Sequence, residues 1–348
     1  MDIRTALASA CILIAPFIGA GGIVGMAASQ ERTPFYHGKT IRIVISTGVA
    51  GGYMEYARAL ADHMGKHIPG QPNFVIQSMP GAGGLLATNH LYSAAPQDGS
   101  VLGIVHSTIP LAPLFGSKGA RYDTLQFNWI GAFDRAIGIC VIWSGSPAQN
   151  WKDILEREVT VGSSGAGSQM EAYPRMLNRL FGAKFKIISG YKDGTDIYLA
   201  MERGEVEGRC GGQIALLRAK RPDWLTESKV RVPIVIANMR HPMFPDAPTV
   251  MEFAHDETTR AQLELINTSQ SLDRPVLMPP NVPGARVATI REAFRKAMED
   301  PEFRSDIEKR NLTLDPVQSD EMTALLRKAF AAPPAVIEAA RKTLEGSD

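Results

Sequence analysis

The sequence has no excess of charge of either sign and few cysteines. Lysine and arginine number 37 against 36 aspartate and glutamate, and the two signs are mixed along the chain. No run of basic residues is dense enough for a nucleic-acid-binding face or a polybasic membrane anchor, so neither partner is expected. Beyond the N-terminal segment, the only cysteines are Cys140 and Cys210, and no histidine near them completes a zinc site.

The sequence also lacks the motifs of common enzymes. No Gly-Lys-Ser/Thr follows a glycine-rich segment, residues 162–166 miss the Gly-x-Ser-x-Gly elbow, and His63 and His67 have no accompanying glutamate motif. A hydrolase or transferase would need a base near Ser163 or Ser164, and no histidine in that half of the chain follows a matching strand. We therefore expect no catalytic residue, no metal and no cofactor, and predict that the protein is not an enzyme.

Long apolar runs are absent except at the N-terminus. After Arg4, residues 6–26 are apolar or small, and residues 25–30 supply the small side chains that a signal peptidase needs. Residues 1–28 are predicted to be a cleaved signal peptide that takes Cys11 with it. The alternative is an uncleaved anchor, because about 20 apolar residues can span a bilayer. Cleavage predicts a periplasmic protein.

Cys140 and Cys210 leave two interpretations open. In an oxidising compartment they can form a disulfide. They can equally be two small buried apolar residues, which is the commoner fate of cysteines in strands.

Strand and helix patterns alternate and then restart. Ile41, Ile43 and Ile45 indicate a strand, and residues 54–68 have helical spacing. Such alternation predicts parallel βαβ units. Residues 129–143 and 230–238 are predicted to cross between two α/β lobes, each a mixed sheet flanked by helices. Lobe 1 is predicted to contain residues 35–135 and 238–348, and lobe 2 residues 136–237.

Two glycine-rich segments, residues 47–53 and 162–168, carry most of the functional information. Each follows a predicted strand and precedes a predicted helix, so each presents free backbone N–H groups and the positive end of a helix dipole. Such a unit is an anion site, and two on facing lobes would hold a small carboxylate from both sides. Either loop alone is often only a turn.

Four side chains near these segments are weaker candidates. Tyr53 can stack on a ligand or simply pack on the surface. Ser107 ends a predicted strand on the cleft side. Tyr191 and Lys192 lie in a turn at the same sheet edge as the second glycine-rich segment, and a solvated lysine is as compatible with the sequence as one that faces an anion.

The chain resembles a known family at several motifs. These are Ile43-Val44-Ile45 through Gly51-Gly52 and Ala57-Arg58, Met79-Pro80-Gly81-Ala82-Gly83-Gly84, Ala95-Pro96-Gln97-Asp98-Gly99, residues 162–168, Gly190-Tyr191-Lys192, and Phe244-Pro245-Asp246-Ala247-Pro248-Thr249-Val250. Together they are similar to the extracytoplasmic solute-binding receptors of tripartite tricarboxylate transporters, the Bug family. The similarity covers residue 38 to the C-terminal helices.

The resemblance implies a two-lobe, type II-like periplasmic binding protein that closes on its ligand. It implies that backbone N–H groups of the two loops hold a carboxylate, often through ordered waters. The resulting candidate ligand-binding residues are Val49, Ala50, Gly51, Gly52, Tyr53, Ala82, Gly83, Ser107, Ser163, Ser164, Gly165, Gly167, Ser168, Tyr191 and Lys192. Many relatives carry acids at the positions of Met54 and of Gly211-Gly212, so a ligand without an amino group is favoured.

The predicted function is capture of a small organic carboxylate and delivery to a membrane transporter. The expected partners are the organic acid and the permease subunits of a tripartite tricarboxylate-type transporter, and the receptor is expected to be a monomer. The alternative is a periplasmic sensor that passes ligand occupancy to a signalling protein.

Overall fold

The computed structural model of the protein describes residues 33–135, 137–166, 168–237 and 240–344. Pro34 and all described residues after it belong to one unit of the chain. The predicted signal peptide and Cys11 lie outside the described residues. Among the helices of the described ranges, none has both the length and the apolar character that a membrane crossing requires.

Eleven strands and twelve α-helices alternate along the described chain. The strands are β1 (Thr40–Ile45), β2 (Asn73–Ser78), β3 (Val101–Ile104), β4 (Asn128–Asp134), β5 (Gly138–Trp143), β6 (Val159–Ser163), β7 (Phe185–Ser189), β8 (Gly208–Gln213), β9 (Val230–Ile236), β10 (Asp273–Met278) and β11 (Val317–Gln318). The helices are α1 (Gly52–Met64), α2 (Leu85–Ser93), α3 (Trp151–Glu156), α4 (Gln169–Phe181), α5 (Gly194–Glu202), α6 (Ile214–Lys220), α7 (Pro222–Thr226), α8 (Glu257–Asn267), α9 (Gly284–Glu299), α10 (Pro301–Lys309), α11 (Ser319–Phe330) and α12 (Pro334–Leu344).

The strands form two mixed sheets. The first sheet has the order β11-β4-β10-β3-β1-β2, and the second has the order β7-β6-β8-β5-β9. In the first, β1 is parallel to β2 and β3, whereas β10 is antiparallel to β3 and β4. In the second, β6 is parallel to β7 and β8, whereas β5 is antiparallel to β8 and β9. The predicted α/β class with two helix-flanked mixed sheets is confirmed.

Strands β1 and β6 hold equivalent positions in the two sheets. Each lies between two parallel neighbours, and each is followed by one of the two glycine-rich segments and then by a helix. The connection after β1 runs to β2 on one side and that after β3 runs to β4 on the other, and β6 and β8 are related in the same way. Ligands of open α/β sheets bind in the crevice at such a switch point. The topology therefore brings both glycine-rich segments to the carboxyl ends of strands beside such a switch point.

The core of the first sheet follows the alternation of β1. Ile41, Ile43 and Ile45 are fully buried in one cluster that includes Leu60 of α1, and Val44 is buried in the cluster on the opposite face. A strand places successive side chains on opposite faces, so a buried strand needs apolar residues at both sets of positions. Both sets of positions are apolar only at the end of β1, whereas Thr40 and Arg42 at its start are exposed.

The chain passes between the sheets at two places. It leaves β4 at Asp134 and enters β5 at Gly138, and it leaves the second sheet after β9. Beyond β9, Thr249 still bridges Val235, and the ring of Phe253 lies 5.5 Å from that of Trp151 on α3. The lobe boundaries stated above stay a prediction.

Cys140 and Cys210 form a disulfide between the neighbouring strands β5 and β8. Both residues are fully buried. The sequence left open either a disulfide or two unpaired buried cysteines, and the second interpretation is therefore wrong. The bond links residues 70 positions apart and fixes β8 against β5, which matters because β8 carries residues of the site described next.

Candidate ligand-binding site

Three helices begin at one small cavity between the two sheets. Gly52 of α1, Gln169 of α4 and Gly194 of α5 are the first residues of their helices, and all three line a cavity of about 40 Å³. The other lining residues are Thr47, Gly51, Tyr53, His106, Met170, Asp193, Arg209, Gly211 and Arg274. The first N–H groups of a helix lack intrahelical acceptors and carry the positive end of its dipole. The cavity therefore favours a negatively charged group.

The first glycine-rich loop lies against the loop that precedes α5. Gly48 donates its backbone N–H to the carbonyl oxygen of Lys192 at 3.3 Å, and Thr195 donates its hydroxyl to the carbonyl oxygen of Ala50 at 3.1 Å. A Cβ atom on Gly48 would lie only 2.5 Å from Oδ2 of Asp193. Glycine at position 48 is thus what allows the two loops to approach this closely.

The second glycine-rich loop uses its buried hydroxyls within itself. Ser163 Oγ accepts the backbone N–H of Gly165 at 3.0 Å, and Ser168 Oγ donates to the carbonyl oxygen of Gly165 at 2.8 Å. Gly83, from the first sheet's side, donates its N–H to the carbonyl oxygen of Ser164 at 3.1 Å. Ser164 Oγ is buried and has no hydrogen-bond partner among the described residues.

Asp193 joins the loop before α5 to the helix itself. Its Oδ1 accepts the backbone N–H groups of Thr195 at 2.7 Å and Asp196 at 3.2 Å, as an N-cap does. Asp193 is buried, whereas the side chain of Lys192 is exposed and that of Tyr191 is partly exposed. Neither Tyr191 nor Lys192 lines the cavity.

Strand β8 and the start of α4 contribute two buried donors. Arg209 is 5% exposed, and its Nε donates to Sδ of Met170 at 3.3 Å. Within the described part of the chain, neither Nη1 of Arg209 nor Nε2 of Gln169 has a hydrogen-bond partner. Arg209 precedes a register shift at which Cys210 and Gly211 face β5, and such bulges commonly redirect a side chain beside a functional site.

The first sheet's wall of the cavity is aromatic and cationic. The guanidinium of Arg274 lies 4.2 Å from the ring centre of Tyr56 and 5.6 Å from that of Tyr53, and it forms an ion pair with the carboxylate of Asp273. Arg274 has a φ of 52°, which is unfavourable for a residue with a side chain. Backbone strain of this kind is concentrated at functional sites.

His106 and Tyr53 are both neutral at physiological pH. Burial, together with the nearby charge of Arg209, lowers the pKa of His106 to about 4. Burial raises the pKa of Tyr53 above its usual range, so the phenol keeps its proton. The imidazole Nδ1 lies 3.2 Å from Ser46 Oγ, and the two rings are 5.2 Å apart. The formal charges lining the cavity are therefore those of Arg209, Arg274 and Asp193.

A second, larger cavity of about 540 Å³ is bordered by Ala166 of the second glycine-rich loop. It is lined by Ala82, Leu85, Thr108, Ala112, Phe115, Gly116, Ser117, Lys118, Gly119, Ala166, Glu171, Ala172, Tyr173, Arg175, Ile266, Ser269 and Leu344. Arg175 and Glu171 form an ion pair at 2.5 Å within it. This volume lies in the range of ordinary small-molecule pockets, about 300–1,000 Å³.

Four of the fifteen candidate residues from the sequence line one of the two cavities. Gly51, Gly52 and Tyr53 line the small one, and Ala82 lines the large one. Ser107 is buried, and within the described chain its hydroxyl has no partner. The residues that make contacts within or between loops are Ala50, Gly83, Ser163, Ser164, Gly165 and Ser168. Val49 is 61% exposed, and Gly167 lies outside the described residues.

The charged residues of the site are not among those predicted from the sequence. Arg209 is the second residue of β8 and Arg274 the second residue of β10, and Asp193 precedes a helix as a capping residue does. An arginine at the start of a strand inside a sheet is a usable signal because arginine is rarely fully buried without a partner. Gln169 carried no such signal, because glutamine is ordinary at a helix start.

Comparison with known proteins agrees with this architecture. Residues 56–340 match the model of the tripartite tricarboxylate transporter family receptor. A Cupriavidus necator protein described as "UPF0065 protein in gbd 5'region" is 26% identical over 308 residues, which are 85% of each chain.

Two solved structures have the same fold at low identity. The periplasmic binding protein BugD is 19% identical with a TM-score of 0.70, and the alignment covers 88% of this chain and 98% of BugD. MatC from Rhodopseudomonas palustris, solved with bound malate, is 19% identical with a TM-score of 0.67 over 88% and 99% of the two chains. The fold is thus that of periplasmic binding proteins, and the chain belongs to the tripartite tricarboxylate transporter receptor family of solute-binding proteins.

Proposed function

We propose that this protein captures a small organic carboxylate outside the cytoplasm and delivers it to a membrane transporter. The ligand is a mono-, di- or tricarboxylate, with or without an aromatic ring. The observation that carries the proposal is the convergence of the uncapped N-termini of α1 and α4 on one cavity. Helix N-termini bind carboxylates through free N–H groups and the helix dipole, without any catalytic residue. The proposed role requires binding and release only.

The proposal includes closure of two lobes around the ligand, lobe 1 with residues 35–135 and 238–348 and lobe 2 with residues 136–237. Four contacts between the two proposed lobes support closure. Three are the hydrogen bonds of Gly48 with Lys192, of Thr195 with Ala50 and of Gly83 with Ser164. The fourth is an ion pair of 2.9 Å between Lys220 Nζ of α6 and Glu55 Oε1 of α1. A ligand held by both sides would favour this closed arrangement, which the transporter would then recognise.

The proposed ligand lacks an amino group. Gly211 has a φ of 72°, and a Cβ there would lie 2.6 Å from the backbone carbon of Gln169, so no acidic side chain fits. Met54, on α1, points into the core and is buried there. Among the residues that line the cavity, Asp193 has the one carboxylate, and it accepts hydrogen bonds from backbone N–H groups of α5.

The proposed location is the periplasm, after cleavage of a signal peptide at residues 1–28. The Cys140–Cys210 disulfide supports an oxidising compartment. The proposed partners are the permease subunits of a tripartite tricarboxylate-type transporter, and the proposed receptor is a monomer.

Thermal unfolding against a panel of organic acids, amino acids and sugars tests this function. A ligand present at about 100 times its Kd adds roughly 2.7 kcal/mol to the free energy of unfolding, so binding raises the melting temperature clearly. We expect stabilisation by one or more organic acids. Stabilisation by amino acids or sugars alone would refute the proposal.

Closure predicts a specific effect of Gly48→Ala. The added Cβ would lie 2.5 Å from Asp193 Oδ2 but 3.4 Å from its Cγ. Overpacking of this size costs about 1–3 kcal/mol, so affinity for the best carboxylate of the panel should fall roughly 5- to 100-fold. Calorimetric titration of the wild type and of Gly48→Ala measures this loss of affinity. Asp193→Ser keeps a capping hydroxyl and removes Oδ2, so Gly48→Ala should cost little in that background.

A further inference from the structure

Arg209 is a buried cation without a counterion in the described chain. Its Nε contacts the sulfur of Met170, its guanidinium carbon lies 5.1 Å from the ring centre of Tyr198, and its Nη1 has no partner. Among the described residues, no carboxylate lies within ion-pair distance of it. A guanidinium in a desolvated site is unfavourable unless an anion accompanies it. Packing therefore does not account for this charge.

The other charges around the small cavity are compensated. Arg274 is paired with Asp273, and Asp193 accepts two backbone N–H groups at the positive end of α5. The N-termini of α1 and α4, which no side chain caps, carry partial charges of roughly half an elementary charge each, which together suit a single carboxylate. Arg209 adds one full positive charge beyond that.

The surroundings of Arg209 are shaped for its guanidinium. A Cβ atom on Gly194 would lie 2.5 Å from Nη1 and 2.6 Å from Cζ, so the glycine at the start of α5 leaves the space that the guanidinium occupies. Gln169 adds a second donor without a partner, Nε2, to the same cavity. Two unpartnered buried donors lining one cavity form a site for the oxygens of an anionic group.

We propose that Arg209 is the specificity-determining residue of the cavity, where it and Gln169 bind a second anionic group of the ligand and so select dicarboxylates over monocarboxylates. This inference rests on the proposed carboxylate binding. It assigns selectivity to a side chain, whereas the loops and helix N-termini contribute backbone groups that bind any carboxylate.

Calorimetric titration of the mature protein tests the inference with malonate, succinate, glutarate and adipate, each beside the monocarboxylate of equal chain length. We expect at least one dicarboxylate to bind tenfold or more tightly than its monocarboxylate partner. In Arg209→Gln, affinity for that dicarboxylate should fall roughly 10- to 100-fold, as expected for a lost hydrogen bond to a charged group. Affinity for the monocarboxylate should fall by a clearly smaller factor, because its single carboxylate keeps the helix N-termini as its partners.

Arg203→Gln is the matched control. Arg203 lies just beyond α5, its side chain is 68% exposed, and it is not part of either cavity, so this variant should bind like the wild type. A structural role of Arg209 is tested by the ligand-free protein. Because the unpaired charge is costly, Arg209→Gln should unfold at the same or a higher temperature than the wild type, whereas loss of a structural arginine would lower it.

The outcomes of these titrations distinguish a failure of this inference from a failure of the proposed function. The inference would be overturned if the wild type and Arg209→Gln preferred dicarboxylates over monocarboxylates equally, or if the wild type had no such preference. Either result would leave the proposed capture of a carboxylate unaffected. Binding of none of these acids, nor of any acid in the wider panel, would overturn the proposed function. If Arg209→Gln does not fold, Gly194→Ala takes its place, because the added Cβ displaces the guanidinium of Arg209. Loss of the dicarboxylate preference in Gly194→Ala supports the proposed role of Arg209. A preference equal to that of the wild type overturns it.

Discussion

Replacing Cys140 and Cys210 together by alanine should lower the free energy of unfolding by about 4 kcal/mol. The disulfide closes a segment of 70 residues, and the chain-entropy account gives about 3 kcal/mol for a 15-residue loop and about 4.7 for a 100-residue loop. Measured losses are typically about 2–4 kcal/mol. Urea unfolding monitored by circular dichroism gives the value, and a similar loss should follow when the wild type is reduced with dithiothreitol.

The alanine variant also separates the disulfide from packing. Dithiothreitol should not change its unfolding curve further, because no other cysteine remains after removal of the proposed signal peptide. Ligand affinity should fall as well, because the bond fixes β8, which carries Arg209 and Gly211. A variant with wild-type stability would show that the β5–β8 pairing, and not the covalent bond, holds this sheet together.

The sequence predicted the architecture well because periodicity is a local property. Ile41, Ile43 and Ile45 identify β1 by alternation alone, and a glycine-rich segment followed by helical spacing locates the start of α1. The two mixed sheets followed from the restart of this pattern.

The contents of the site were harder to predict because they depend on contacts between distant segments. Gly51, Gly52 and Tyr53 are continuous in sequence with a recognisable loop, and they line the small cavity. Arg274 reaches the same cavity from β10, more than 200 residues away, and no local pattern records that approach. The pairing of Cys140 with Cys210 is of the same kind, since spacing alone does not say which strands are neighbours.

His106 should make the stability of the protein fall between neutral and acidic pH. Its pKa is about 4 in the folded protein against about 6.5 in an unfolded chain. Between these values the unfolded state binds more protons than the folded state, so stability is present above about pH 6.5 and is lost as the pH falls toward 4. From pH 7.5 to 4.5 this single group should remove roughly 2–3 kcal/mol, at about 1.36 kcal/mol per pKa unit.

Urea unfolding of the wild type and His106→Gln at both pH values isolates this effect, because other groups titrate in both proteins. Glutamine retains a polar atom for Ser46, whose hydroxyl lies 3.2 Å from Nδ1 in the wild type. The wild type should lose more stability on acidification than the variant, by roughly 2–3 kcal/mol. An equal loss in both would mean that His106 is not kept neutral by burial. In Arg209→Gln the extra loss should be smaller than in the wild type, because the charge of Arg209 is one of the two causes that lower the pKa of His106.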